Sequence, residues 1–231
     1  MDLIWQGLRD AVQIVRTGDY SVWQITLRSL LISGSAVLIS LVLGILAGAF
    51  LAFKDFHGRN VLLSLVNTGM GLPPVVVGLM VAIFLWRSGP LGHLRLIYTP
   101  AAMVVAQTII AAPIVTGFTA ASLRHLDPRL RMQVYALGAS RLQMLWIILW
   151  ETKLPLLAAV MAGFGGAISE VGASMMVGGN LAGDTRVLTT AVMLEVSRGN
   201  FAPAIALSII LLVLIFAVNA VLTTVQQQEG R

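Results

Sequence analysis

The sequence predicts an all-α integral membrane protein, and three observations lead to that fold class. Of the 231 residues, 58% are hydrophobic and only 11% are charged, whereas an average soluble domain carries about 25% charged residues. The mean hydropathy is +0.90. Long charge-free runs recur along the chain, and because backbone groups in lipid must be bonded within their own segment, we expect these runs to be helices.

Five runs exceed the ~20 residues that a helix needs to cross the hydrocarbon layer. They are Ser29–Phe53, Asn60–Trp86, Leu96–Leu123, Leu154–Gly183 and Gly199–Gln228, and only the fourth contains a charged residue, Glu170. We therefore predict five transmembrane helices in one domain, residues 29–226. An N-terminal extracytoplasmic or interfacial segment (1–28) precedes it, and a cytoplasmic tail (227–231) follows.

The N-terminal segment has no apolar core of the kind that a cleaved signal peptide requires. Its apolar residues recur instead at helical spacing, which predicts a short surface helix. They are Leu3, Ile4, Gly7, Leu8, Ala11 and Val15.

The basic residues of the loops predict the orientation, because lysine and arginine are enriched on the cytoplasmic side. The first and third loops hold seven of them, namely Lys54, Arg59, Arg124, Arg129, Arg131, Arg141 and Lys153. The second and fourth loops hold four, namely Arg87, Arg95, Arg186 and Arg198. We expect the first and third loops and the C-terminus to be cytoplasmic and the N-terminus to be outside.

The composition excludes several kinds of chemistry. Cysteine is absent, which excludes disulfides, thiolate metal sites and cysteine nucleophiles. The only lysines, Lys54 and Lys153, follow Phe53 and Thr152, so no GxxxxGK[ST] phosphate-binding loop is present. We expect no catalytic residue, no metal site and no cofactor in this chain, and therefore no enzyme.

The third loop, residues 124–153, carries signals for two short helices. Asp127-Pro128 is typical of a helix start, with aspartate as the N-cap and proline in the first turn. Gly138 suits the left-handed residue after a helix end, and Ser140 with Gln143 matches a capping box that begins a second helix.

The first of these two helices has an apolar face formed by Leu130, Val134 and Leu137, spaced at i, i+4 and i+7. Two interpretations remain open on this pattern alone. The helix either lies in the headgroup region and fixes the loop, or it is a docking element for a cytoplasmic partner.

The run Ala136-Leu137-Gly138-Ala139-Ser140-Arg141 resembles the core of the cytoplasmic "EAA" loop of ABC importer membrane subunits. In that family, a short helix followed by glycine seats in a groove of the ATP-binding subunit. The chain departs from the family pattern at two points: Met132-Gln133-Val134 replaces the acid-Ala-Ala start, and Leu154-Pro155 comes about four residues late.

A second run, from Ser169-Glu170-Val171-Gly172-Ala173-Ser174 to Gly178-Gly179-Asn180, resembles the permeases that import tungstate and molybdate. The continuation Thr185–Ala191 is most similar to the tungstate branch. The resemblance covers about Leu27 to the C-terminus. It implies a type I ABC importer permease (MetI-like) in a bacterial inner membrane, without catalytic chemistry of its own.

The resemblance also implies partners. These are a second copy of the chain, two cytoplasmic ATP-binding subunits that hold ATP and Mg, and a periplasmic or lipid-anchored tungstate-binding protein. It implies coupling residues at Leu130, Val134 and Leu137–Arg141. Nucleic acid is not an expected partner. Molybdate or sulfate is the alternative cargo, and a self-sufficient secondary anion carrier that uses Glu170 is the alternative of another class.

Several membrane residues are candidates for the translocation path or gate: Pro73, Pro74, Pro113, Glu170, Ser174, Gly178, Gly179 and Asn180. Each has a structural alternative. Glu170 is either paired and hydrogen-bonded or part of a gate, since an unpaired carboxylate at membrane depth is costly. The prolines either kink pore-lining helices or make ordinary packing kinks.

The Gly-Gly-Asn run, residues 178–180, either ends a helix or presents backbone amides to an anion at an outer mouth. Two further patterns are structural. Ala36, Ser40, Gly44 and Gly48 form a small-residue stripe that allows close helix packing, within the chain or across a dimer. Asp184 is expected to cap a helix that reaches Arg198.

Overall fold

The computed structural model describes residues 2–17 and 20–229, so that residues 1, 18, 19, 230 and 231 of the predicted terminal segments lie outside it. The described ranges contain helices and no strand. The α-helices are α1 (Asp2–Thr17), α2 (Tyr20–Phe53), α3 (Arg59–Met70), α4 (Pro74–Leu85), α5 (Pro100–Arg124), α6 (Pro128–Ala136), α7 (Arg141–Glu151), α8 (Lys153–Ile168), α9 (Gly172–Gly178), α10 (Leu188–Ser197) and α11 (Phe201–Glu229).

Three of these helices, α2, α5 and α11, are long and apolar enough to cross a membrane as continuous spans. Two helix pairs pass the same test together but are sharply bent, α3 with α4 by 104° and α7 with α8 by 74°. The described chain therefore has three candidate spans, or up to five if each bent pair counts as one. The five predicted spans equal the upper number in count, but the fourth predicted run, Leu154–Gly183, covers α8 and α9 and not the bent pair α7–α8.

The second and fourth of the five predicted runs are not single helices, which corrects the simplest form of the prediction. The second run breaks after Met70, where Gly71 ends α3 and Pro73 takes an extended conformation before α4 (φ −60, ψ 122). Proline has no N–H to continue a helix and disfavours a helical residue before it. The fourth run breaks after Ile168.

Helix α2 begins at Tyr20, nine residues before the charge-free run, and so includes Arg28. The Arg28 guanidinium donates to the carbonyl oxygens of Gly183 at 2.7 Å and Arg186 at 3.2 Å. These bonds satisfy the charged group inside the helix, so the charge does not end it.

The small-residue stripe of α2 packs against α5 within the chain. A Cβ at Gly44 would lie 2.7 Å from Val115, and one at Gly48 would lie 2.6 Å from Thr119. Ser40 is fully buried in the same seam. Small residues allow the two backbones to approach this closely, so the intrachain alternative explains the stripe.

The N-terminal segment forms a helix, as predicted. Helix α1 packs along α11, where Gly7 lies so close to Ile205 that a Cβ would clash, and Ala11 is buried. The side chains of Leu3, Ile4 and Val15 lie outside the described part of the chain.

Candidate functional site

The predicted functional residues fall into two separate regions. The first, which we call the elbow, comprises α6, the turn at Gly138 and α7 (residues 128–151). The second, which we call the α9 segment, comprises α9 and its flanking turns (residues 169–187). Pro73, Pro74 and Pro113 belong to neither region, but two of them lie beside the second.

Both elbow helices begin as the sequence predicts. The Asp127 carboxylate accepts a hydrogen bond from the Arg129 amide at 2.8 Å. Ser140 and Gln143 form the reciprocal capping box, with bonds of 3.3 Å and 2.8 Å. Such caps satisfy the amides that a helix start leaves unbonded. The Arg141 side chain lies outside the described residues.

Gly138 makes the turn between the two helices with a positive φ of +77. A Cβ at this position would meet nothing within 4 Å, so backbone conformation and not space requires the glycine. A side chain in this region costs about 1–2 kcal/mol. Two backbone hydrogen bonds close the turn. The Gly138 amide donates to Tyr135 O at 2.9 Å, and the Ala139 amide donates to Val134 O at 3.3 Å.

The inner side of the elbow packs on the ends of the long helices. Val134, Met144 and Ile148 are buried in one cluster with Ala49 of α2 and Leu123 of α5. Burial of these apolar side chains holds the elbow to the bundle. The elbow is therefore in direct contact with the ends of α2 and α5.

The predicted apolar face of α6 is divided in the structure, which corrects one part of the prediction. Leu130 packs against the buried cluster with Val134, but Leu137 is 87% exposed. The reason is that α6 ends at Ala136 and Leu137 is its C-cap, so the helical spacing no longer applies at this residue.

The outer side of the elbow is apolar and uncovered. Leu142 is 81% exposed and Trp146 is 68% exposed, and with Leu137 they line a groove of about 750 Å³. Exposed apolar patches of this kind mark interaction sites. Ala139 and Ser140 line the same groove, so the structure brings the predicted coupling residues of the turn together there.

In the α9 segment, Glu170 lies in the break between α8 and α9, and its residue is only 8% exposed. Its Oε1 accepts a hydrogen bond from the Ala173 amide at 2.7 Å, and its carbonyl oxygen accepts one from Thr189 Oγ1 at 3.1 Å. The carboxylate thus caps the start of α9, where an acidic group is favoured by the helix dipole. Sequence analysis left this partner unnamed, although Ala173 is only three residues away.

Helix α9 lies tightly against α4. A Cβ at Gly78 would lie 2.5 Å from the Ala173 Cα, and one at Gly172 would lie 2.6 Å from Val75 Cγ2. Pro73 and Pro74 begin α4 next to this contact. The structure therefore brings together two interruptions of helix, the one at Pro73 and Pro74 between α3 and α4 and the one at Glu170 between α8 and α9.

Pro113 lies inside α5 and packs against the end of α3. A Cβ at Gly69 would lie 2.9 Å from the Pro113 ring. The proline thus contacts the same bent pair.

Gln107 is a buried polar residue that sequence analysis missed. It is 2% exposed, and Ser174 of α9 is 1% exposed. Gln107 Nε2 donates to Ser174 Oγ at 3.3 Å, while Gln107 Oε1 has no hydrogen-bond partner among the described residues. The available signal was a lone glutamine in the third charge-free run, but its partner lies 67 residues away.

The Gly-Gly-Asn run ends α9 with two left-handed residues, Gly179 (φ +69) and Asn180 (φ +52). The Gly179 amide bonds to Met175 O at 3.0 Å, and the Leu181 amide bonds to Thr185 Oγ1 at 2.9 Å. The helix-end prediction is confirmed. Two amides near this turn are already bonded and are not free for an anion.

The predicted cap of α10 is wrong. The helix begins at Leu188, four residues after Asp184. The Leu188 amide bonds to Ser29 Oγ of α2 at 2.9 Å, and the Val187 amide bonds to Thr190 Oγ1 at 3.0 Å. A cap that comes from a residue 159 positions away is invisible to local pattern.

Within residues 2–17 and 20–229, no group of three or more histidine and acidic side chains is placed to hold a metal ion.

The sequence model described as "Binding-protein-dependent transport system inner membrane component" matches residues 17–229. A protein of Peptoclostridium acidaminophilum described as "Tungstate uptake system permease protein TupB" is 37% identical over 228 residues, which cover 99% of this chain and 100% of that protein. A "Probable anion ABC transporter permease protein" of Haloferax volcanii is 40% identical over 85% of this chain and 87% of its own length.

A more distant relative is the "Molybdenum transport system permease protein ModB" of Haemophilus influenzae, which is 29% identical over 71% of this chain and 75% of that protein. Among solved structures, the inward-facing MetNI methionine ABC transporter has a chain that matches with a TM-score of 0.72. It is 17% identical and covers 92% of this chain and 97% of its own. At that identity the match shows a shared fold.

Proposed function

We propose that this chain, which belongs to the family of binding-protein-dependent transport system inner membrane components, is the permease subunit of an ATP-driven importer of tungstate. The assignment of tungstate as the cargo rests on the 37% identity to a tungstate uptake permease over nearly the whole of both chains. The chain itself performs no covalent chemistry and is a multi-pass inner-membrane protein.

The elbow is the proposed docking site for a separate ATP-binding subunit, which would hold ATP and Mg. Its exposed residues Leu137, Leu142 and Trp146 line one groove, and that apolar surface suits burial in a partner. Gly138 gives the turn its shape. The other side of the elbow packs against the bundle through apolar side chains, so the same element would contact both the partner and the spans.

Movement of the elbow would reach the membrane through its buried side. Ile148 is fully buried, and it packs with Ala49 and Leu123 at the ends of α2 and α5. Packed interiors transmit displacement because they compress little. Closure of the ATP-binding subunits on ATP would therefore shift α2 and α5 together.

The proposed gate lies where the α9 segment meets the α3–α4 bend. Irregular backbone at membrane depth is tolerated when it is buried in protein or lines a wet path. The breaks at Pro73–Pro74 and at Glu170 come together through the contact of α4 with α9. Ser174 and the residues 178–180 belong to the same α9 segment, and Pro113 of α5 packs against the end of α3.

The complete transporter would contain two copies of this chain, two ATP-binding subunits and an external tungstate-binding protein. The elbow then faces the cytoplasm, the C-terminus lies inside and the N-terminus lies outside. ATP and the loaded binding protein would bind one conformation more tightly than the other, which shifts the population between outward-open and inward-open states.

Molybdate is the second candidate cargo, because a molybdenum permease is also similar over most of the chain. Sulfate is chemically related but has less support. A secondary carrier that uses Glu170 as its coupling group is disfavoured, because that carboxylate is occupied by the Ala173 amide.

Reconstitution tests the proposal. The permease, its ATP-binding subunit and its binding protein are placed in liposomes, and uptake of tungstate, molybdate and sulfate is measured with and without ATP. We expect tungstate uptake that requires both ATP and the binding protein. ATP-independent uptake by the permease alone would establish the carrier, and a preference for molybdate would correct the cargo.

A further inference from the structure

A cavity of about 820 Å³ lies against the loop that joins α4 to α5, at residues 86–99. Arg87, His93 and Arg95 line it, together with the rings of Trp86 and Tyr98. No acidic side chain is among its lining residues. A cleft lined by one sign of charge focuses the field and raises the local concentration of anions.

The two arginines of this cavity differ from Arg28 of α2 and Arg186 of the α9 segment. Arg28 donates to backbone carbonyls, and Arg186 donates to Asn180 at 3.3 Å. Within residues 2–17 and 20–229, the side chains of Arg87 and Arg95 have no hydrogen bond or ion pair with another residue. Their guanidinium groups are therefore available to a ligand.

The loop that carries these groups is held in one shape. The Leu91 amide bonds to Phe84 O at 2.9 Å, and the rings of Trp86 and Tyr98 meet edge to face with centroids 6.2 Å apart. Arg95 (φ +52) and Tyr98 (φ +62) are both left-handed. Non-glycine residues keep this costly conformation only when the surrounding structure holds it, so the cavity is preorganised for binding.

The same loop is attached to the α9 segment. The Tyr98 amide donates to Val177 O at 2.8 Å, and the Tyr98 ring lies over Gly179, where a Cβ would come within 2.8 Å of it. A ligand in the cavity would therefore lie against Tyr98, and Tyr98 directly contacts the proposed gate.

We infer that this cavity is a binding site for a tetrahedral oxyanion, at the end of the bundle opposite the elbow. The planar fork of arginine matches the oxygen pairs of such an anion, and the two unpaired guanidinium groups supply the charge. The inference rests on the proposed function for its source of anion, which is the transported ion. A phospholipid headgroup offers the same phosphate-like chemistry.

Direct titration tests the site. The complex of permease and ATP-binding subunit, in a phosphate-free maltoside detergent and without binding protein, is titrated with tungstate by calorimetry. We expect wild type to bind tungstate, and Arg87→Gln and Arg95→Gln each to weaken binding by about tenfold, the effect of one charged hydrogen bond. Arg124→Gln, at the other end of α5, is the matched control and should leave the affinity unchanged.

The inference would be overturned if tungstate failed to bind wild type, or bound both cavity variants as tightly as wild type. It would also be overturned if phosphatidylglycerol, and not tungstate, bound in a manner that depends on the two arginines, which would make this a lipid site. Variants that weaken only capture of the binding protein would make the cavity a docking surface instead. ATP-driven tungstate uptake is measured in parallel, so intact uptake with an empty cavity rejects this inference alone, and absent uptake rejects the proposed function.

Discussion

The elbow and the α9 segment are built in opposite ways. The elbow is held by bonds between residues two to five positions apart, such as Asp127 with Arg129 and Ser140 with Gln143, and it exposes its apolar side. In the α9 segment, by contrast, Ala173 and Ser174 are buried, and they lie against Gly78 and Gln107, which are distant in sequence. The first region is suited to meet a partner, and the second is suited to keep helices together.

The difference predicts where substitutions act. Changes in the elbow should affect capture of the ATP-binding subunit while the bundle stays folded. Changes in the α9 segment should lower the stability of the bundle, because they separate helices that are already in contact.

Gly138→Val should have the largest effect on function. Valine at a φ of +77 costs about 1–3 kcal/mol, which reshapes the turn and should abolish both ATPase capture and uptake. Gly199→Val is the control, because Gly199 has a φ of +78 and equally open surroundings in the turn between α10 and α11, outside both regions. Affinity capture of the ATP-binding subunit measures the effect. Equal capture by the two variants would contradict the role of the elbow.

Gly78→Ala should have the largest effect on stability. The new Cβ would lie 2.5 Å from the Ala173 Cα, and overpacking of this kind costs about 1–3 kcal/mol. Gly34→Ala adds the same atom to a helix position with nothing within 4 Å and should be neutral or slightly stabilising. Thermal unfolding in detergent measures both. An unchanged Tm for Gly78→Ala would show that α4 and α9 are not in close contact.

Glu170→Ala and Glu170→Gln separate hydrogen bonding from ionisation. Alanine leaves the Ala173 amide without its acceptor, which should cost about 1–3 kcal/mol. Glutamine retains an acceptor oxygen and should keep most of the stability and most of the ATP-driven uptake. Loss of uptake in the folded glutamine variant would indicate that the ionised carboxylate couples transport.

Gln107→Leu should have the smallest effect. It removes one hydrogen bond of 3.3 Å to Ser174, but it also removes a buried oxygen that has no hydrogen-bond partner among the described residues. The two terms offset each other, so we expect a change below about 1 kcal/mol. A large loss of stability in the same unfolding assay would mean that a ligand or water is bonded at this oxygen.

The sequence predicts features that depend on neighbouring residues. The caps at Asp127 and Ser140, the turn at Gly138 and the end of α9 at Gly179 all follow from local patterns, and the structure contains each of them. The three continuous spans also follow, because the absence of charge is a property of the runs that form most of α2, α5 and α11.

Features that depend on tertiary contacts were missed. Charge counting begins the first span at Ser29, but α2 begins at Tyr20 and includes Arg28, whose guanidinium donates to distant carbonyl oxygens. Asp184 has the chemistry of a cap, yet Ser29 supplies the bond that begins α10. Helical spacing assigns Leu137 to the same face as Leu130 and Val134, but the helix has already ended.

Native mass spectrometry of the tagged chain, purified in mild detergent from its own host, tests the central claim most directly. The claim is that the elbow joins this permease to an ATP-binding subunit. We predict an assembly of two permeases with two ATP-binding subunits, which Gly138→Val reduces to the permease alone. A wild-type chain that is recovered without any ATP-binding subunit, and that still takes up tungstate in liposomes, would contradict it.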